Sequence, residues 1–157
     1  MVLFKSINRL LHYICGDGSW RLLGHEEAMV NACIESLPDS AAQSVKRQLK
    51  SGFFVERIPD GRVNRIFPRR KDRAMAIELP GFEDCLYKVR FETDGEKMTG
   101  HVTFYDGFIY SVEFKKPKKY FKNKAINILR VSKGRSKDSV AEILDRAEHG
   151  RETETNP

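Results

Sequence analysis

Cationic and aromatic side chains recur at alternate positions in segments 86–90 and 99–110, a spacing that places them on one face of a β-sheet. Lysine, arginine and histidine can pair with an anion, and tyrosine rings can stack on a ligand. This mixed face is the first candidate binding surface, and its candidate residues are Lys88, Arg90, His101, Tyr105 and Tyr110. The open alternative is that a C-terminal helix covers the aromatic half and leaves only the cationic part exposed.

The second candidate is the basic segment, residues 115–137, which contains 10 Lys/Arg and no acidic residue. The preceding residues hold 16 Lys/Arg and 16 Asp/Glu, so the net charge of +6 reflects one segment rather than a uniformly cationic surface. Within it, Lys118, Lys119 and Tyr120 have the composition of a contact for phosphate groups. A solvated loop, partly neutralised by the acidic residues that follow, is the alternative. The shorter basic loop at 69–73 would extend a groove only if the fold brings both segments together.

Glu113 is a charged side chain that the predicted register of the third hairpin places among apolar residues, opposite Gly100 and beside Ser111. A carboxylate buried there needs a partner, because burying an isolated charge is costly. It is either a site carboxylate lying over the gap that Gly100 leaves, or a residue at the rim of the core that forms a salt bridge with an arginine. Ser111 and Glu113 share a strand face, but no histidine is predicted on that side to act as a base.

Motifs for nucleotide binding, zinc binding and metalloprotease chemistry are missing from the sequence. The histidines are scattered without metal-binding spacing, and the three cysteines form neither a disulfide framework nor a zinc site. The first apolar stretch is interrupted by polar residues, which argues against a membrane span. We therefore expect a non-enzymatic, cytoplasmic protein with no cofactor and no metal. A small hydrolase-type enzyme remains an alternative.

The periodicity that must position these residues is helical in the first third of the chain. Apolar residues at three- and four-residue spacing predict helices over 3–14, 26–36 and 41–49, and a further helix is predicted over 138–148. Pro38 ends the second helix, and Asp39 or Ser40 caps the third.

From Phe53 onward the apolar period changes to two, and Asp-Gly pairs follow at 60–61, 94–95 and 106–107. Asp-Gly between β-rich runs predicts tight hairpins, because both turn residues must adopt positive φ. Two-residue turns then set which residues face each other across the strands. The predicted pairs are Ile58 with Val63, Phe54 with Phe67, Val89 with Gly100, Tyr87 with Val102, Phe104 with Ile109, and Val102 with Ser111.

Those pairs separate an apolar face from the mixed face, and the apolar face is predicted to form the core under the early helices. Residues 74–79 are predicted to form a further strand, whereas the apolar run at 125–131 is too short to assign. We therefore predict an α+β fold, with N-terminal helices packed on an antiparallel sheet of about six strands and a C-terminal helix. It would form a single domain over 1–150, followed by a disordered tail over 151–157.

The hairpin GHVTFYDGFIYSVEF, residues 100–114, resembles a pattern in small bacterial α+β proteins, some of which are immunity proteins of polymorphic toxin systems. The shared positions are an aromatic, Asp-Gly, and a strand of the form hydrophobic-x-Ser-hydrophobic-Glu. The resemblance implies a non-enzymatic protein that neutralises a partner through a preformed surface. Together with the basic segment, it favours a protein partner such as a toxin domain with an acidic surface. Nucleic-acid binding through residues 115–137 is the second hypothesis.

Overall fold

The computed structural model describes residues 10–11, 13–15 and 17–134. Its two long helices are α1 (Gly24–Ser36) and α2 (Asp39–Lys50), and short 3-10 helices lie at Arg73–Met75 and Lys118–Phe121. The strands are β1 (Gly18–Ser19), β2 (Phe53–Ile58), β3 (Val63–Pro68), β4 (Asp84–Thr93), β5 (Glu96–Tyr105), β6 (Phe108–Glu113) and β7 (Asn127–Lys133).

The strands form one antiparallel sheet in the order β1-β2-β3-β6-β5-β4-β7. The predicted α+β class is confirmed, but the sheet has seven strands rather than about six. The predicted C-terminal helix and tail lie outside the described residues.

One predicted strand is wrong, and one run that the sequence left unassigned is a strand. Residues 74–79 do not form a strand, because Asp72 accepts a hydrogen bond from the Ala74 N–H and starts a 3-10 turn. The Ile77 N–H then donates to the Gly107 carbonyl, so the chain crosses the end of the hairpin that turns at 106–107 instead of pairing along one of its strands. The unassigned run at 125–131 contributes to β7, which completes the sheet by pairing with the outer edge of β4.

The three Asp-Gly turns form the predicted hairpins. Asp60, Asp94 and Asp106 have φ values of 54°, 50° and 52°, and the glycine after each is also left-handed. The registers of the first two hairpins are confirmed in full, including Phe54 with Phe67 and Val89 with Gly100. Tight turns set these registers because they leave no slack in the loop.

The third hairpin departs from its predicted register by one residue. Phe104 pairs with Ile109 as expected, but a bulge at Tyr110 then makes Thr103 face Ser111 and Val102 face Val112. The prediction that Val102 faces Ser111 is therefore wrong. Because side chains alternate across a strand, one extra residue reverses every later side chain of β6.

The bulge exchanges the two faces for the second half of β6. Glu113 pairs with His101 on the outer face, so its predicted position opposite Gly100 on the core face is also wrong. Val112, expected on the mixed face, is instead fully buried in the core.

Gln48 of α2 holds the hairpin in this arrangement. Its side-chain amide donates to the carbonyls of Met75 and Gly107 at 2.8 and 2.9 Å. Its Oε1 accepts from the Ile109 N–H at 3.0 Å, immediately before the bulge. The side chain is only 2% exposed, so these hydrogen bonds satisfy polar groups that water does not reach.

Both helices pack on the core face of the sheet. Ala41 and Val45 of α2 and Met29 of α1 are completely buried there, as the helical periodicity predicted. The described part of the predicted first helix is helical at Leu10 and Ile14, but both side chains are more than half exposed.

A buried ion pair fastens the start of α1 to β2. Arg57 donates to both carboxylate oxygens of Glu26 at 2.7 Å, and the two side chains are 3% and 0% exposed. The Leu23 N–H donates to the same carboxylate at 2.8 Å and so satisfies a free amide at the helix start. Removal of one partner of such a pair typically costs about 3–5 kcal/mol, because the remaining charge is buried alone.

Replacement of Gln48 by leucine should destabilise the protein. The buried Ile109 N–H and two carbonyls lose their partner, and each such loss costs about 1–3 kcal/mol when no water can replace it. The same change at Gln43, an exposed residue of the same helix, is the matched control and should alter stability by less than about 0.5 kcal/mol. Urea denaturation of both variants measures the difference, and equal stabilities would contradict the role given to Gln48.

An aromatic cluster at the start of α1 contains a buried histidine. The His25 ring stacks on Phe121 with a centroid separation of 4.5 Å and meets the edge of Phe114 at 4.9 Å. Burial lowers the pKa of His25 below 6.5, and the nearby Arg57 lowers it further against the opposing effect of Glu26.

This lowered pKa predicts a loss of stability in mild acid. The unfolded chain takes up the His25 proton first, so the contribution is complete above pH 6.5 and declines as the pH falls through that value toward the folded-state pKa. His25→Phe should show a smaller decrease in the free energy of unfolding between pH 7.5 and pH 5 than the parent protein. Parallel pH profiles from urea denaturation would contradict the prediction.

Candidate functional site

The outer face of the sheet, opposite the helices, carries its polar residues in rows that run across neighbouring strands. One row joins Ser132, Lys88, His101 and Glu113 through directly paired positions of β7, β4, β5 and β6. The next row, toward the 94–95 turn, joins Arg130, Arg90 and Thr99. The sheet thus places side chains from distant parts of the sequence beside one another.

These two rows form a cleft of about 610 Å³, which we call the cationic cleft. It is lined by Lys88, Arg90, Thr99, His101, Lys115, Arg130 and Ser132. A smaller cleft of about 300 Å³ adjoins it and adds Lys97 and the apolar side chains of Met98 and Leu129. Leu129 is 47% exposed, so an apolar contact surface lies directly beside the charged one.

Like charges are concentrated in the cationic cleft. Arg90 and Arg130 are directly paired positions of neighbouring strands, so their Cβ atoms lie roughly 5 Å apart. Within the part of the chain that the structure describes, no acidic side chain forms an ion pair with Arg90, Lys115 or Arg130. A bound anion would relieve the repulsion between the two arginines.

Thr103, Ser111 and Glu113 form a buried chain of hydrogen bonds that ends beside His101 of the cationic cleft. Thr103 and Ser111 share a hydrogen bond of 2.6 Å, and Ser111 donates to Glu113 Oε1 at 3.0 Å. The other carboxylate oxygen lies 3.8 Å from His101 Nδ1, which is too long for a direct hydrogen bond. Glu113 is 3% exposed, so its carboxyl group is almost completely buried.

The bulge therefore brings a histidine to the side of Ser111 and Glu113, which the predicted register did not. Ser111 is nevertheless completely buried, and its hydroxyl hydrogen-bonds to Thr103 and Glu113 rather than to His101. A serine nucleophile needs a base beside it and access to substrate. The geometry of Ser111 meets neither requirement.

The predicted aromatic part of the mixed face lies apart from the cationic cleft. Tyr105 is six residues further along β5 than Thr99, a distance of about 20 Å in an extended strand. Tyr105 is 53% exposed and its ring lies 5.9 Å from that of Tyr110, the bulged residue. Phe108, beside them on the outer face, is buried.

Much of the basic segment is engaged in contacts within the protein. Lys118 forms an ion pair with Asp17 at 3.2 Å, and the Tyr120 hydroxyl donates to Glu96 at 2.7 Å. That hydrogen bond raises the pKa of Tyr120 and lowers the pKa of Glu96. Lys124 lies 3.8 Å from the centre of the Tyr120 ring. Lys119 is exposed. Lys118, Lys119 and Tyr120 lie on the 3-10 helix at Lys118–Phe121, outside the cationic cleft.

The second basic loop does not extend the cationic cleft. Residues 69–73 follow β3 at the end of the sheet that holds the 106–107 turn, and Arg73 pairs with Asp106 at 2.7 Å. The cationic cleft lies toward the opposite ends of the strands.

Arg130, Thr99 and Ser132 were not among the predicted site residues. Arg130 and Ser132 alternate with Val131, which is the signal of a strand that presents them on one face. The bulge at Leu129 in β7 interrupts this alternation and hides it from a reading of the sequence.

Comparisons of this chain with protein-family models, with curated proteins and with solved structures give no match. Among the described residues, no helix is long and apolar enough to cross a membrane. The same residues contain no cluster of three or more His, Cys, Asp or Glu side chains that could hold a metal ion.

Removal of one arginine from the cationic pair should stabilise the protein. Arg130→Gln relieves repulsion with Arg90 and should raise the free energy of unfolding by about 0.2–1 kcal/mol at low salt, with the gain disappearing near 1 M salt. Lys124→Gln is the matched control, because Lys124 pairs with Asp94 at 2.9 Å and its removal should give no gain. Thermal and urea denaturation measure both, and an unchanged or lowered stability of the Arg130 variant would contradict the prediction.

Proposed function

We propose that this protein is a non-catalytic binding protein that captures an acidic protein partner on the cationic cleft. The observation that carries the proposal is the Arg90 and Arg130 pair beside Lys88, Lys115 and His101 in one concave surface. Electrostatic complementarity of this kind speeds association with an acidic surface and rejects a basic one.

The adjoining small cleft supports a protein rather than a small ion as the partner. The exposed Leu129 lines it beside Arg90 and Arg130, so charged and apolar contacts are available within one interface. Interfaces between proteins commonly combine such an apolar centre with a polar rim. The resemblance of residues 100–114 to immunity proteins makes a toxin domain with an acidic surface a partner of the required chemistry.

Nucleic-acid binding is the second candidate, and it is favoured by Arg90, Lys115 and Arg130, which form no ion pair among the described residues. A phosphate backbone would neutralise the same side chains, with affinity that falls steeply as salt is raised. The contacts that engage Lys118 and Tyr120 count against a long nucleic-acid groove along the basic segment.

Charge reversal within the cleft tests the proposal. Fluorescence anisotropy should detect binding of labelled poly-glutamate, and the double variant Arg90→Glu, Arg130→Glu should weaken it by about tenfold or more through loss of two close charge pairs. The matched control, Lys46→Glu with Lys122→Glu, reverses two exposed lysines outside the cleft and should bind within about twofold of the parent protein.

If both double variants weaken the binding of poly-glutamate equally, binding depends only on net charge, and this result would contradict the proposal. A labelled single-stranded RNA of matched charge is the competing ligand in the same assay. Tighter binding of the RNA than of poly-glutamate, lost only in the cleft variant, would decide for the nucleic-acid alternative.

A further inference from the structure

We propose that the group taken by the cationic cleft is a phosphomonoester, so that the preferred partner is a protein carrying a phosphorylated side chain. The inference rests on the proposed protein-binding function and narrows its ligand.

The charge of the cleft exceeds what one carboxylate can balance. Arg90, Lys115 and Arg130, none of which forms an ion pair among the described residues, line a volume of about 610 Å³ together with Lys88 and His101. A carboxylate brings one negative charge and two oxygens. A phosphomonoester brings a charge of about −1.5 to −2 and three strong acceptor oxygens to the same space.

The two arginines match a compact tetrahedral group. Each guanidinium presents a planar fork of N–H donors that can bind phosphate through two hydrogen bonds. Because Arg90 and Arg130 are directly paired across β4 and β7, both forks can reach one phosphate. An extended series of carboxylates would not need two arginines at one point of the sheet.

His101 and the hydroxyls beside it supply further donors. Glu113 faces the Nδ1 side of the imidazole, which leaves Nε2 as the atom available to the cleft. Thr99 and Ser132 also line the cleft and carry hydroxyl groups. The surface thus combines charge with hydrogen-bond donors, as recognition of phosphorylated motifs by arginine clusters requires.

The surroundings favour a phosphorylated peptide over a nucleic acid. The residues that line the cationic cleft include no Phe, Tyr or Trp on which bases could stack. The exposed aromatic Tyr105 is four residues beyond His101 along β5, a distance of about 13 Å. Leu129, in contrast, is 47% exposed and can contact an apolar side chain next to a phosphorylated residue.

The test uses three acidic peptides that contain a leucine near a central residue and differ only there, with phosphoserine, glutamate or serine. Isothermal titration calorimetry with the full chain should show the phosphoserine peptide binding about tenfold or more tightly than the glutamate peptide, because it gains charge-assisted hydrogen bonds. The double variant Arg90→Lys, Arg130→Lys keeps the charge but removes both forks, so the two affinities should become equal within about twofold.

Arg62→Lys with Arg70→Lys, at two exposed arginines outside the cleft, is the matched control and should retain the phosphoserine preference. Near-ultraviolet circular dichroism verifies that every variant is folded. Equal binding of the phosphoserine and glutamate peptides to the parent protein would overturn the inference and leave the protein-binding proposal intact. Failure of both peptides and of poly-glutamate to bind would overturn both. Tighter binding of single-stranded RNA than of the phosphoserine peptide would overturn the inference in favour of nucleic acid.

Discussion

The bulge at Tyr110 is the constraint on which the rest of the outer face depends. It adds one residue to β6 after a turn whose geometry is fixed, and every later side chain of the strand changes face as a result. Gln48 makes this stable by hydrogen-bonding to Ile109 and Gly107 from the helix layer on the other side of the sheet. One buried amide in α2 thus satisfies backbone groups next to the bulge, beyond which Glu113 lies next to His101 and Val112 lies in the core.

The basic segment divides into two parts with different roles in the structure. Near the 3-10 helix, Lys118 and Lys124 form ion pairs with Asp17 and Asp94. This part is therefore linked to the start of β1 and to the turn between β4 and β5. In β7, Arg130 is instead opposite Arg90, and no described acid pairs with either. A like-charged pair on neighbouring strands is unfavourable for folding, so the two parts of the segment affect stability in opposite directions. Net charge alone does not distinguish these two parts.

Helices and hairpins that depend on residues close together in the chain could be predicted well from the sequence. The spacing of Ala41 and Val45 located α2, and the Asp-Gly turns located three hairpins and the registers of two of them. Residues 74–79 illustrate the limit, because their alternation suggests a strand while Asp72 starts a 3-10 turn and Ile77 is held by the distant Gly107. Strand β7 shows the opposite case. Its apolar run is too short to assign from the sequence, and it forms a strand by pairing with the edge of β4.

The sequence by itself determined that Lys88, Arg90 and His101 share one face, because alternation along a strand and a tight turn are set by neighbouring residues. Only the tertiary structure decided that Arg130 lies opposite Arg90 and that Glu113 lies next to His101. Edge pairing and the bulge depend on contacts between residues that are distant in the chain. The cationic cleft is the product of those contacts, since it joins side chains from β4, β5 and β7 with Lys115.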